Sequence, residues 1–130
     1  MNPNNLKYSK NHEWIGLEIN KEKTYIIGIT HFAQKELGDI IYLDIDETVV
    51  GTEIQEGKVF GTIEAVKTVS DLFMPVSGTI LEINKVLFSK PEHINKNPYE
   101  EGWILQIKIL DTKEYDRLMS FEEYKKYIGE

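Results

Sequence analysis

The sequence predicts a mainly β protein, a sandwich or flattened barrel of short strands with a few short helices and a helical tail. Three observations carry this. β-Branched and aromatic runs of strand length recur between Trp14 and Ile109, turn residues punctuate them, and helical signals are few and short. The runs are Thr24–Ile29, Ile40–Ile45, Lys58–Ile63, Gly78–Asn84 and Trp103–Ile109, and the punctuation falls at Gly51, Glu56-Gly57, Pro75, Ser77-Gly78 and Glu101-Gly102. Short strands at this spacing suit a sandwich or a flattened barrel. In the fourth run the expectation puts Ile80 on one face and Leu81 and Ile83 on the other. Thr30 should cap a helix through Ala33 and Leu37 that Gly38 stops. Ser89 with Glu92 fits a capping box, and Asp111 with Glu114 and Ser120 with Glu123 repeat the spacing. The tail over about 111–129 therefore reads as two short helices or one broken helix. Gly38–Ile45 and Gly78–Asn84 share a glycine-then-apolar pattern, which hints at a pseudo-symmetric pair of sheets.

Length and charge narrow the function. The chain has 130 residues, about one domain, and no linker or low-complexity stretch divides residues 1–130. Lys+Arg is 15 against 22 for Asp+Glu, a formal charge of -7, which argues against a nucleic-acid track or a polybasic lipid patch. No cysteine is present, so a disulfide scaffold, a zinc–thiolate site, an iron–sulfur cluster and a cysteine nucleophile are all excluded. No segment reads as a signal peptide or a membrane span, so a cytoplasmic chain or a mature organellar one is expected, with the cytoplasm as the first choice and no membrane partner. Arg117 is the sole arginine beside 14 lysines, which disfavours bidentate gripping of phosphate or carboxylate. The balance leans towards a carrier or docking module.

The most informative stretch is Phe60–Gly78, a strand, a tight connection and a strand with Lys67 near the midpoint. A turn at Val66–Lys67 puts the lysine at the tip, with Glu64 three positions before it and Asp71 four after. An arbitrary lysine in such a place is merely solvated. The pattern around this one gives it more weight.

Glu64-Ala-Val-Lys-Thr-Val-Ser-Asp71 resembles the lipoylation signature of the glycine cleavage H-protein family, within the lipoyl and biotinyl carrier domains. Pro75-Val-Ser-Gly78, His12-Glu13-Trp14, Gly28–Thr30 with Ala33-Gln34 and Leu37–Asp39, and Asn97–Trp103 resemble further family blocks, in family order, from about Leu6 to Gly129. The resemblance implies a flattened barrel-sandwich hybrid of two antiparallel sheets of lipoyl-domain type, with the lipoyl hairpin at about 58–84. It implies lipoate in amide linkage on Lys67, with Glu64, Val66 and Asp71 recognised as part of the hairpin, and a surface near Asn11, Glu13 and Asp71 for the aminomethyl amine. Carboxylates suit a protonated amine, which gains from charge-assisted hydrogen bonds.

Implied partners are glycine decarboxylase (P protein), aminomethyltransferase (T protein), dihydrolipoamide dehydrogenase (L protein) and a lipoyl ligase or octanoyltransferase. The chain would be a monomeric carrier and not itself an enzyme, the cofactor supplying the chemistry. Ala65, Thr68, Val69, Asn11 and His31 depart from the usual family residues, which leaves room for different partners. Two alternatives stand beside the carrier: a lipoyl donor or relay to 2-oxoacid dehydrogenases, and an unmodified interaction module. A biotinyl carrier is disfavoured, since Val66 and Thr68 stand where methionines bracket that lysine.

Other candidates are weaker. His12, His31 and His93 lack metal-ligand spacing, Asp44, Asp46 and Glu47 sit at a strand end facing water, and Ser70 and Ser77 lack a base partner. Trp14, Trp103, Tyr99 and Phe60 suit packing better than base stacking.

Overall fold

The computed structural model describes residues 1–18, 21 and 23–130. Among these, the strands are β1 (Lys7–Tyr8), β2 (Glu13–Leu17), β3 (Thr24–Ile29), β4 (Ile40–Asp44), β5 (Glu53–Ile54), β6 (Val59–Ala65), β7 (Val69–Phe73), β8 (Gly78–Ile83) and β9 (Leu105–Ile109). They pair antiparallel in two sheets, one of six strands ordered β1-β2-β3-β9-β8-β5 and one of three ordered β4-β6-β7. The mainly β fold in two antiparallel sheets is thus the observed one. Ile15, Ile27, Ile80 and Ile107 from the larger sheet meet Leu43, Ile63 and Leu72 from the smaller in one core. Burial of these apolar faces supplies the cohesion between the sheets. The two echoing stretches fall in different sheets, β4 in the smaller and β8 in the larger.

The helices are α1 (His31–Leu37), α2 (Val86–Ser89), α3 (His93–Lys96), α4 (Thr112–Asp116) and α5 (Phe121–Tyr127). Thr30 Oγ1 accepts from the Ala33 amide at 3.1 Å at the start of α1. Gly38, at φ 77°, ends it in a left-handed conformation that costs glycine little. Ser120 and Glu123 form the reciprocal capping box of α5. The tail is two short helices, α4 and α5.

Several expectations need correction. Ile80 and Ile83 are both buried while Leu81 is 40% exposed, because a bulge between Ile80 and Glu82 adds a residue and resets the alternation. The capping box at Ser89 does not form. Ser89 closes α2 with its hydroxyl on the Val86 carbonyl, and α3 begins at His93, its N-cap Glu92 making no side-chain capping bond. At α4, Asp111 caps the Lys113 amide at 2.9 Å, but Glu114 turns away to accept from the buried Ser77 amide at 2.7 Å. A buried amide left unpaired would cost more than a capping bond returns. The hairpin also closes sooner than 58–84 implies: β6 and β7 pair within Val59–Phe73, and β8 leaves for the other sheet.

A second packed group ties the tail to the amino-terminal strands, with Tyr124 of α5 buried against Leu6, Tyr8 and Trp14. Trp14 pairs across β2–β3 with Gly28, and a Cβ on that glycine would lie 2.7 Å from the indole ring. The ring cannot yield, being fully buried with Nε1 donating to the Pro98 carbonyl at 3.1 Å. Gly28→Ala is therefore expected to destabilise the fold by about 1–3 kcal/mol, the usual range for overpacking, read as a lower urea midpoint at unchanged m.

Candidate functional site

Lys67 stands where the sequence puts it, on the connection between β6 and β7. The Ala65 amide donates to the Thr68 carbonyl at 2.8 Å, so Val66 and Lys67 alone form the tip. Two-residue loops normally use left-handed residues to match the strand twist. Neither Val66 nor Lys67 adopts positive φ. The tip is instead held from outside, the Val66 amide donating to the Asp39 carbonyl at 3.2 Å just beyond α1. Ala65 points inward at 3% exposure and anchors the end of β6, whereas Lys67 projects into solvent. Lys67 enters none of the ion pairs found among the described residues. Its amine is available, and its base is fixed.

Cross-strand register defines the surroundings. Glu64 lies opposite Val69 and Tyr42, and Asp71 opposite Thr62. Paired residues share a face, so Tyr42, Glu64, Val69 and Asp71 line the outer side of the small sheet, all exposed. Val66 at the tip is 65% exposed. The two sequence-predicted acids thus flank the lysine on one solvated face.

Glu13 needs a correction. The resemblance places it on the surface, but it is 1% exposed. Ser9 Oγ donates to Glu13 Oε1 at 2.7 Å, and the Phe73 amide donates to Oε2 at 3.3 Å. β7 is an edge strand, and this carboxyl occupies part of its open backbone at the base of the hairpin. Burial pushes the Glu13 carboxyl up to about 7, opposed by the bonds from Ser9 and Phe73. Asn11 is exposed, on the turn that leads into β2. Asp71 lies two residues from Phe73, roughly 7 Å along the strand. The structure therefore joins Glu13 to the hairpin base, with Asn11 and Asp71 in solvent.

Sequence reasoning missed what holds that turn. His12 takes φ 67°, and its Nδ1 lies 2.8 Å from the Tyr124 hydroxyl, which lies 2.7 Å from Thr30 Oγ1. Residues 112 positions apart leave no local signal. The tip contact from Asp39 is equally silent in the sequence. Trp14 and Phe60 are buried, as packing roles require, and Tyr99 and Trp103 pack at the edge of the second group. Asp46 caps a short turn through the Thr48 amide at 2.9 Å, which holds its carboxyl below the ordinary value.

A lysine lifted clear of the core on a braced hairpin tip, behind which two sheets close, is the architecture of a carrier domain. Comparison with known proteins narrows the class. The glycine cleavage H-protein family model matches residues 6–130. The glycine cleavage system H proteins of Staphylococcus saprophyticus and Staphylococcus haemolyticus are each 48% identical over 128 residues, covering 98% of both chains. The crystal structure of a glycine cleavage system H protein from Mycobacterium marinum superposes with TM-score 0.86 at 31% identity, over 98% of this chain and 99% of that one. The chain belongs to the glycine cleavage H-protein family.

Proposed function

We propose that this chain is the lipoyl carrier of a glycine cleavage system, with lipoate in amide linkage on Lys67. The observation that carries the reading is the exposed Lys67 on a tip braced by Asp39, inside the family's signature. The residues present suit such a group. The lysine is exposed, Val66 and Val69 beside it are 65% and 60% exposed, and nothing among the described residues encloses the amine. A ligase or octanoyltransferase can reach it without opening the fold, reading Glu64, Val66 and Asp71 along the hairpin. Lipoate would supply disulfide chemistry there: it would take the aminomethyl group from glycine decarboxylase, yield it to aminomethyltransferase as a dithiol, and be returned to the disulfide by dihydrolipoamide dehydrogenase.

The protein's own part is position. The bonded tip fixes the root of the arm, and tethering raises the arm's local concentration at each enzyme. Asn11 and Asp71 offer polar partners to an amine on the surface below the tip. Glu13 sits behind them and meets that amine by exchanging its long bond to the Phe73 amide. The chain works as a single unit and as a carrier, without catalysis of its own.

The test is two measurements on protein co-expressed with a lipoyl ligase. Intact mass should show one added lipoyl group. With glycine decarboxylase, the product should support exchange of the glycine carboxyl carbon with bicarbonate. Lipoylation without exchange, together with lipoyl transfer to a dehydrogenase acyltransferase, would replace the carrier by the relay, and an unmodified chain would overturn both.

A further inference from the structure

The turn from Ser9 to Glu13 is built under constraint. His12 sits in the left-handed region, which disfavours residues other than glycine and is tolerated when the surroundings over-determine it. Its backbone is tied on both sides, the His12 amide donating to the Ser9 carbonyl at 3.1 Å and the Thr30 amide donating to the His12 carbonyl at 3.0 Å. Its ring is enclosed by aromatic residues of two helices, Phe32 of α1 and Tyr124 and Tyr127 of α5, with centroids 5.0–5.8 Å away.

One hydroxyl joins the pieces. Thr30 Oγ1 already accepts from the Ala33 amide, so its own proton is free for the Tyr124 oxygen. With the His12 ring proton on Nε2, the Tyr124 hydroxyl donates to Nδ1. Burial lowers the His12 imidazole below its ordinary value, which suits a neutral ring with an accepting Nδ1. Tyr124 is itself fixed, 3% exposed and stacked on Tyr8 with centroids 4.6 Å apart. One residue beyond His12, the Glu13 carboxyl accepts from the Phe73 amide on the edge of the lipoyl hairpin.

We propose that Tyr124 is a positioning residue, its hydroxyl fixing the Ser9–Glu13 turn so that the Glu13 carboxyl meets the Phe73 amide at the hairpin base. The carboxyl-terminal helix thereby gains a functional task. It sets the geometry between the arm-bearing hairpin and the surface below it. The consequence for carrier activity rests on the reading above, whereas the geometry itself does not.

Amide hydrogen exchange of the unmodified chain tests it. Tyr124→Phe keeps the ring and removes the hydroxyl. It should speed exchange at the Phe73 amide by about five- to tenfold, the usual weight of one hydrogen bond, while the Ile107 and Leu105 amides in the sheet core hold their rates. His12→Gly, which adopts the left-handed backbone freely and has no side-chain acceptor, should do the same. Tyr115→Phe removes a hydroxyl with no hydrogen-bond partner among the described residues and should leave Phe73 unchanged. Unaltered Phe73 exchange in Tyr124→Phe, or equal acceleration of core amides, would overturn the proposal. On lipoylated protein, Tyr124→Phe should lower glycine carboxyl exchange while lipoylation stays complete. If lipoylated wild type itself gives no carboxyl exchange, the carrier reading fails, and the hydrogen-exchange rates alone decide the role of Tyr124.

Discussion

Lys67→Arg is expected to abolish lipoylation completely and to leave the fold intact. Guanidinium keeps the charge but offers no amine that can be acylated at ordinary pH, so no partial modification should survive. Intact mass after co-expression with a lipoyl ligase should show the bare chain only. Stability should change by less than about 0.5 kcal/mol, since Lys67 is exposed and enters no ion pair among those found. Its tip is held by the Val66 amide and the Ala65–Thr68 bond, neither of which involves its side chain. A lipoyl group in the variant, or one mapped to Lys58 or Lys85, would remove the assignment.

Glu13→Gln is expected to make the fold more stable in alkali and to flatten its pH dependence. The native carboxyl is raised from 4.5 to about 7 by burial, so the folded state holds a proton that the unfolded chain releases. The stability that this contributes is fully present below the unfolded value and is lost as pH rises through about 7. A rise of that size corresponds to about 3 kcal/mol between the two limits. The amide stays neutral throughout, with its oxygen able to face the Phe73 amide and its nitrogen able to donate to Ser9 Oγ. Urea midpoints should therefore agree near pH 4.5, with the variant ahead by about pH 8. A parallel pH profile in both proteins would mean that Glu13 does not titrate as its burial requires. On the carrier reading the same change should cost function, with glycine carboxyl exchange down by about tenfold or more, the weight of one charge-assisted hydrogen bond.

These outcomes separate what the chain states locally from what it states only when folded. The β-branched runs mark β3, β4, β6, β8 and β9, since alternation and turn residues act within a few positions, whereas β1, β2, β5 and β7 lie outside them. Thr30, Gly38 and Ser120 mark helix ends for the same reason: a cap is satisfied within one turn. Lys67 at a hairpin tip is legible too, because a two-residue connection between strand-forming runs has one midpoint. Where a local signal competes with a distant partner, the partner wins. Glu114 has capping spacing but answers Ser77 from 37 positions away, and the bulge after Ile80 brings Ile83 to the buried face that Ile80 occupies.

The burial of Glu13 is the sharpest case. Its neighbours in sequence, Asn11 and His12, give no reason to enclose a carboxyl. Enclosure depends on the β7 edge, 60 residues on, offering an unpaired amide that needs an acceptor. The brace at Asp39 and the link from His12 through Tyr124 to Thr30 have the same origin. Local sequence is enough to say which residue the protein presents. How firmly that residue is held, and which groups lie beneath it, follows from folding alone, because those contacts exist only once remote strands and the last helix have met.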